Sequence, residues 1–254
     1  MSAFREANRK AFNDLSATYN AKPWQHKLSQ QVSDALQARR DWLGIQWAQS
    51  NNKYDRDVKL LDYACGTGAI TRALGPYVTT IRGIDISEKM VEEYNKAAQS
   101  SGLSTEQARA VVGDLVAETV PSHLIGDDYQ DFDIAIIGLG FHHFENPPLA
   151  VHRLAERLKP GEGVLVIIDF LPFSHERKVE QQYREQNPGA DFPEMSHTIK
   201  HDGFTEQDMR RMFGDAGLTD FGFEIEVEPA VMELKSGTRE RKIFIAKGRR
   251  TGHA

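Results

Sequence analysis

From about position 58 the chain alternates short apolar runs with stretches of helical periodicity. The runs occupy 58–64, 79–84, 108–112, 132–138 and 163–169, and the segments 70–74, 88–100 and 148–158 between them carry helical spacing. Runs that are apolar on both faces suit strands buried in a parallel sheet. Their alternation with helices predicts βαβ units. Ahead of them, Leu28, Val32, Leu36, Trp42 and Leu43 recur at roughly helical spacing, which predicts helices over 1–51, broken near Pro23, and then a polar loop from Asn51 to Asp55. After Asp169 the rhythm lapses. The stretch 170–204 is polar and aromatic, with Pro172, Pro188 and Pro193, and a connection that long is usually functional or disordered. Thr205-Glu206-Gln207-Asp208 reads as a capping box with Asp in place of Glu, opening a helix that ends near Gly217. Two last strands, 221–227 and 241–247, are expected to form a hairpin through Lys235-Ser236-Gly237-Thr238. The pattern predicts one α/β domain over 1–254: a doubly wound, mostly parallel sheet of seven strands with helices on both faces, an antiparallel C-terminal hairpin, an N-terminal helical cap (1–51) and a lid (170–204).

Composition narrows the setting. The 254 residues, 40% of them hydrophobic, can bury a full core without staples. Cys65 is the single cysteine, which excludes an intrachain disulfide and a thiolate zinc cage. The mean hydropathy is −0.51, no apolar run nears the roughly 20 residues that span a bilayer, and the first ten residues are charged where a signal peptide is apolar. The expected compartment is the cytoplasm, with the nucleus left open. A net charge of −6 argues against nonspecific nucleic-acid binding, which rests on Lys and Arg neutralising phosphates. The pairs Arg39-Arg40, Arg210-Arg211 and Arg249-Arg250 are scattered and read as solvated faces.

The chemistry-bearing segment follows the first run: Asp62-Tyr63-Ala64-Cys65-Gly66-Thr67-Gly68. Glycines between a strand and a helix let a ligand approach the backbone. A dinucleotide loop needs a third glycine where this chain has Thr71, and a P-loop needs a Gly-Lys pair that is absent. The carboxylate of Asp62 suits a cationic amino group better than a phosphate. Asp85 ends the second run about 20 residues past the glycines, where an acidic side chain can accept from both ribose hydroxyls.

Asp62-x-Ala64-x-Gly66-x-Gly68 resembles the first motif of class I S-adenosylmethionine-dependent methyltransferases, of the type that acts on small molecules. Further segments resemble that family in order: Asp85, Val112-Gly113-Asp114-Leu115, Gly138-Leu139 followed by His142-His143-Phe144, Leu158-Lys159-Pro160-Gly161, and His201-Asp202-Gly203-Phe204-Thr205. Glu162 departs from the family, which has Gly there. The resemblance implies a Rossmann-like fold with S-adenosylmethionine as cofactor and S-adenosylhomocysteine as product. It assigns the ribose to Asp85, the adenine amino group to Asp114 beside Leu115, and the methionine moiety to Gly138 and Leu139. Ile86 and Met90 either flank the adenine or pack the core. Ser16-Ala17-Thr18-Tyr19-Asn20 is similar to a family segment whose Tyr lies over the methyl end, which makes Tyr19 a candidate.

The cofactor carries an activated methyl group, and the protein must hold an acceptor in line with it. His143, and after it His142, is the candidate general base. In the lid, His175, Tyr183, His197 and His201 are expected to shape the pocket. Only Asp169 marks the end of the fifth run, too few oxygen ligands for a hard cation, so no metal is expected. The leading expectation is a small-molecule methyltransferase, with no nucleic-acid partner and no membrane span. The alternatives are a protein or, less readily, RNA methyltransferase, and a catalytically silent cofactor-binding partner protein. Oligomeric state and the accepting atom do not follow from the residues.

Overall fold

In the computed structural model, residues 2–19, 21–48, 56–173, 185–186, 196–234 and 237–252 are described. The five apolar runs are strands: β1 (Lys59–Tyr63), β2 (Thr80–Asp85), β3 (Ala108–Val112), β4 (Ile134–Gly138) and β5 (Val164–Phe170). Toward the C-terminus come β6 (Leu218–Ile225), β7 (Ala230–Leu234), β8 (Gly237–Arg241) and β9 (Ile243–Arg250). A seven-stranded sheet has the order β3-β2-β1-β4-β5-β9-β6, and β7 and β8 form a separate two-stranded ribbon. The first five strands pair in parallel, while β9 runs antiparallel to both β5 and β6. The chain turns back at β1 and β4, and in open α/β sheets ligands bind beyond the strand ends at such a switch point.

Alternation along the strands fills two cores. Leu60, Ile134, Ile136, Val164, Val166 and Ile168 pack on one face, and Leu61, Ala135, Ile137, Leu165 and Ile167 on the other. Helix α2 (Pro23–Ala38), the short α3 (Arg40–Leu43), α4 (Ala69–Leu74) and α5 (Glu88–Ser100) cover the first face, with Leu36, Leu43, Leu74 and Tyr94 buried there. Helix α6 (Pro147–Ala155) and α7 (Glu206–Asp215) cover the second, through Leu154, Met209 and Phe213. Pro23 stands in the first turn of α2, where its missing N–H costs nothing. The Thr205–Asp208 capping box is formed in both directions. The remaining helix, α1 (Ala3–Leu15), starts at Ser2, whose side chain accepts from the Arg5 amide.

The C-terminal hairpin differs from expectation in its connection. The two expected strands pair within the main sheet as β6 and β9, but between them in the chain stand β7 and β8, which pair as a ribbon of their own. Ala230 and Met232 are buried and Glu233 is exposed, an alternation that marks β7 as a strand, whereas Thr238-Arg239-Glu240-Arg241 offers almost no apolar signal. Lys235 and Ser236, the polar loop at 51–55 and most of the expected lid (174–184 and 187–195) lie outside the described residues.

Candidate active site

At the carboxyl ends of β1, β2, β3 and β4 lies a cavity of about 360 Å³, walled by the loops after these strands and roofed by α1. Of the residues expected at the cofactor site, Tyr19, Ala64, Gly66, Asp85, Ile86, Met90, Asp114, Gly138 and Leu139 line it. Asp62, Gly68 and Leu115 do not line it. His143 lines the cavity and His142 does not.

The turn after β1 is built in the left-handed region: Ala64 has φ 58°, Gly66 49° and Gly68 85°. A side chain on Gly66 would meet no protein atom within 4 Å and would project into the space a ligand needs. Ala64 holds a conformation that costs an L-residue about 1–2 kcal/mol. This strain sits at the glycine-or-alanine position of the motif.

Two backbone amides aim the Asp85 carboxylate. Gly66 N donates to Oδ2 and Ser87 N to Oδ1, each at 2.9 Å. Burial raises the Asp85 pKa and these amides oppose the rise. The Tyr19 hydroxyl, desolvated and close enough to feel Asp85, is also raised. Asp62 is buried at 1% exposure. Its Oδ2 accepts from the Thr71 hydroxyl at 3.1 Å, while Oδ1 has no partner. Burial pushes its pKa to about 7. A carboxylate left half satisfied in the interior calls for a cation or a donor from a ligand. Asp114 takes Val116 N at 2.8 Å and the Tyr63 hydroxyl at 3.3 Å on Oδ1, and Arg5 Nη1 at 2.7 Å on Oδ2.

His142 and His143 share one turn of 3₁₀ helix, and their rings lie 4.1 Å apart with their planes at 40°. The His142 ring is buried against Asp169. Its Nδ1 lies 2.8 Å from Oδ1, and its backbone amide donates to Oδ2 at 3.0 Å. Its carbonyl accepts from Lys200 N and His201 N. This residue ties the ends of β4 and β5 to the segment before α7. His143 Nδ1 lies 2.9 Å from the Thr198 carbonyl, and Phe12 meets the ring edge-on at 5.3 Å. Desolvation, then His142, holds His143 well below the usual imidazole range. His201 is lowered by burial and its Nε2 has no partner, and His197 is exposed beside it. His175 and Tyr183 lie outside the described residues.

Helix α1 lies within the expected N-terminal helical cap, and it is fastened by polar side chains that the pattern of apolar positions did not mark. Ser2 donates to Glu145 at 2.6 Å, Arg5 lies 3.1 Å from Glu145 and 2.7 Å from Asp114, and Asn8 donates to the His143 carbonyl at 3.2 Å. Asn13 accepts from Ser87 and donates to Glu88 at 2.6 and 2.7 Å.

Residues 18–221 match the family model described as a methyltransferase domain, a stretch that contains the glycine turn, Asp85, Asp114 and the His142-His143 turn. The chain belongs to the class I S-adenosylmethionine-dependent methyltransferase family. An uncharacterized methyltransferase of Schizosaccharomyces pombe is 29% identical over 164 residues, 64% of this chain and 54% of that protein. The chain thus spans about half the length of this relative. The ubiquinone biosynthesis O-methyltransferase of Actinobacillus pleuropneumoniae is 28% identical over 107 residues, 42% of this chain and 43% of that one. Among solved structures, the magnesium protoporphyrin IX methyltransferase of Synechocystis, with S-adenosylhomocysteine bound, has a TM-score of 0.66 at 19% identity, covering 97% of this chain and 99% of that one. A methyltransferase of Anabaena variabilis has a TM-score of 0.63 at 18% identity, over 98% and 96% of the two chains. The fold is thus shared with these methyltransferases at low sequence identity. No helix among the described residues is long and apolar enough to cross a membrane.

Proposed function

We propose that this methyltransferase moves a methyl group from S-adenosylmethionine to a small-molecule acceptor. The observation that carries the reading is the Asp85 carboxylate, fixed by two amides at the end of β2 on the wall of a cavity that the glycine turn leaves open. The donor set fits the cofactor: a ribose-accepting carboxylate, a second carboxylate at Asp114, apolar Ile86 and Met90, and the half-satisfied Asp62 behind the turn. The bound cofactor supplies a sulfonium methyl already activated for transfer. Asp85 would hold the ribose hydroxyls, Asp114 and Leu115 the adenine edge, and Gly138 and Leu139 the methionine moiety, with Tyr19 near the methyl end. His143 would face the acceptor and take its proton, while His142, bonded to Asp169, fixes the turn that presents it. The small-molecule class is supported by the roofing of the cavity by α1 and by the ubiquinone and porphyrin named in the relatives' activities.

Substituting Asp85 by Ala tests this. The lost hydrogen bonds should weaken S-adenosylhomocysteine binding by about 1–3 kcal/mol, roughly 5- to 150-fold in Kd. Calorimetric Kd values equal for the two proteins would refute the ribose assignment.

A further inference from the structure

The contact between His143 and the Thr198 carbonyl fixes more than the ring's position. A carbonyl oxygen only accepts, so His143 Nδ1 must carry the hydrogen. In a neutral imidazole the other nitrogen, Nε2, is then a bare acceptor. The ring lines the cavity between Phe12, Leu139 and Phe144. Charged residues on that wall are Asp85, Asp114, Glu118, Glu145 and Arg5, and Arg5 is already paired with Asp114 and Glu145. Among the described residues, the wall thus offers an anionic acceptor no unpaired cation.

Resting on the methyl-transfer reading, we propose that the acceptor is a neutral phenol whose hydroxyl donates to Nε2 of His143, making the reaction an O-methylation. In the transfer step a lone pair of the phenol oxygen forms the new C–O bond, the C–S electron pair returns to sulfur, and the hydroxyl proton passes to Nε2. The imidazolium then loses that proton to solvent. Desolvation comes first among the influences that keep the ring neutral. His142, whose ring lies 4.1 Å away, and the charges of Arg241 and His197 further disfavour a positive charge, while the Thr198 carbonyl favours one. Such a weak base cannot strip an ammonium group, whose pKa near 10 leaves no lone pair for attack at neutral pH. A hydroxyl keeps its lone pairs while protonated and becomes strongly acidic only as the bond forms, when even a weak base accepts the proton. The chemistry of His143 thus selects hydroxyl over alkylamine. The aromatic wall suits a ring rather than an aliphatic alcohol.

The test uses the whole chain labelled with ¹⁵N-histidine and saturated with S-adenosylhomocysteine, with His143→Gln to assign the signal. Phenol and benzylamine are the probes. The expected spectrum shows an unprotonated Nε2 that shifts on addition of phenol and ignores benzylamine. A protonated Nε2, a shift with benzylamine alone, or no shift with either probe overturns the proposal. A parallel calorimetric titration with S-adenosylhomocysteine separates the two readings. If the product fails to bind, the methyl-transfer reading itself falls. If it binds and phenol leaves Nε2 unmoved, the acceptor class alone falls.

Discussion

Asp62 shows how much one residue can carry. Burial, opposed by the Thr71 hydroxyl, pushes its pKa from 3.8 to about 7. The folded chain therefore prefers the protonated acid. The stability this contributes is fully present below about pH 4 and is lost as the pH rises through 7, by up to about 4 kcal/mol for a shift of some three units. Asp62→Asn should flatten the fall in unfolding free energy between pH 5 and pH 8, measured by urea titration. An unchanged slope would show that the buried carboxyl is satisfied in some other way. The sequence marked Asp62, Gly66 and Asp85 as cofactor candidates through the resemblance of their segments to the methyltransferase motifs. It placed His143 only slightly ahead of His142. Adjacent residues look alike on paper, and only the 3₁₀ turn sends one ring to Asp169 and the other to the cavity.

Among elements, the parallel strands were the most legible. Runs such as Ile134–Gly138 are apolar on both faces because helices cover both sides of the sheet. The β7–β8 ribbon was not, since Arg239 and Glu240 stand in a strand whose partner is a single neighbour. Helix α1 was legible as part of an N-terminal helical cap, but the contacts that fasten it were not. Its hold on the site depends on Ser2, Arg5, Asn8 and Asn13, polar residues that a search for apolar stripes passes over. Arg5 joins Asp114 to Glu145, so Arg5→Gln leaves two carboxylates without their shared cation. Partly exposed pairs of this kind are worth about 1 kcal/mol or less. Amide hydrogen exchange in α1 should therefore quicken by up to about fivefold, and 0.5 M salt should bring the unaltered protein toward the variant. Equal exchange rates in the two proteins would mean that the helix is held by Phe12 and its other contacts instead.

At the scale of the whole molecule, the sheet order carries the argument. Placing β1 and β4 side by side at the switch point sets the glycine turn beside Gly138 and Leu139, while β2 and β3 bring Asp85 and Asp114 to the same rim. Residues spread from 63 to 149 thus share one cavity, and the N-terminal helix returns across it. The order of strands was foreseeable only through the family resemblance. Periodicity names strands and leaves their neighbours open. The central claim is that this rim recognises an adenosyl sulfonium rather than a nucleotide phosphate. Isothermal titration of the unaltered protein with S-adenosylhomocysteine, NAD and ATP tests it most directly. The account predicts one site for S-adenosylhomocysteine and no comparable heat from the other two. Saturable binding of NAD or ATP, with none of S-adenosylhomocysteine, would contradict it.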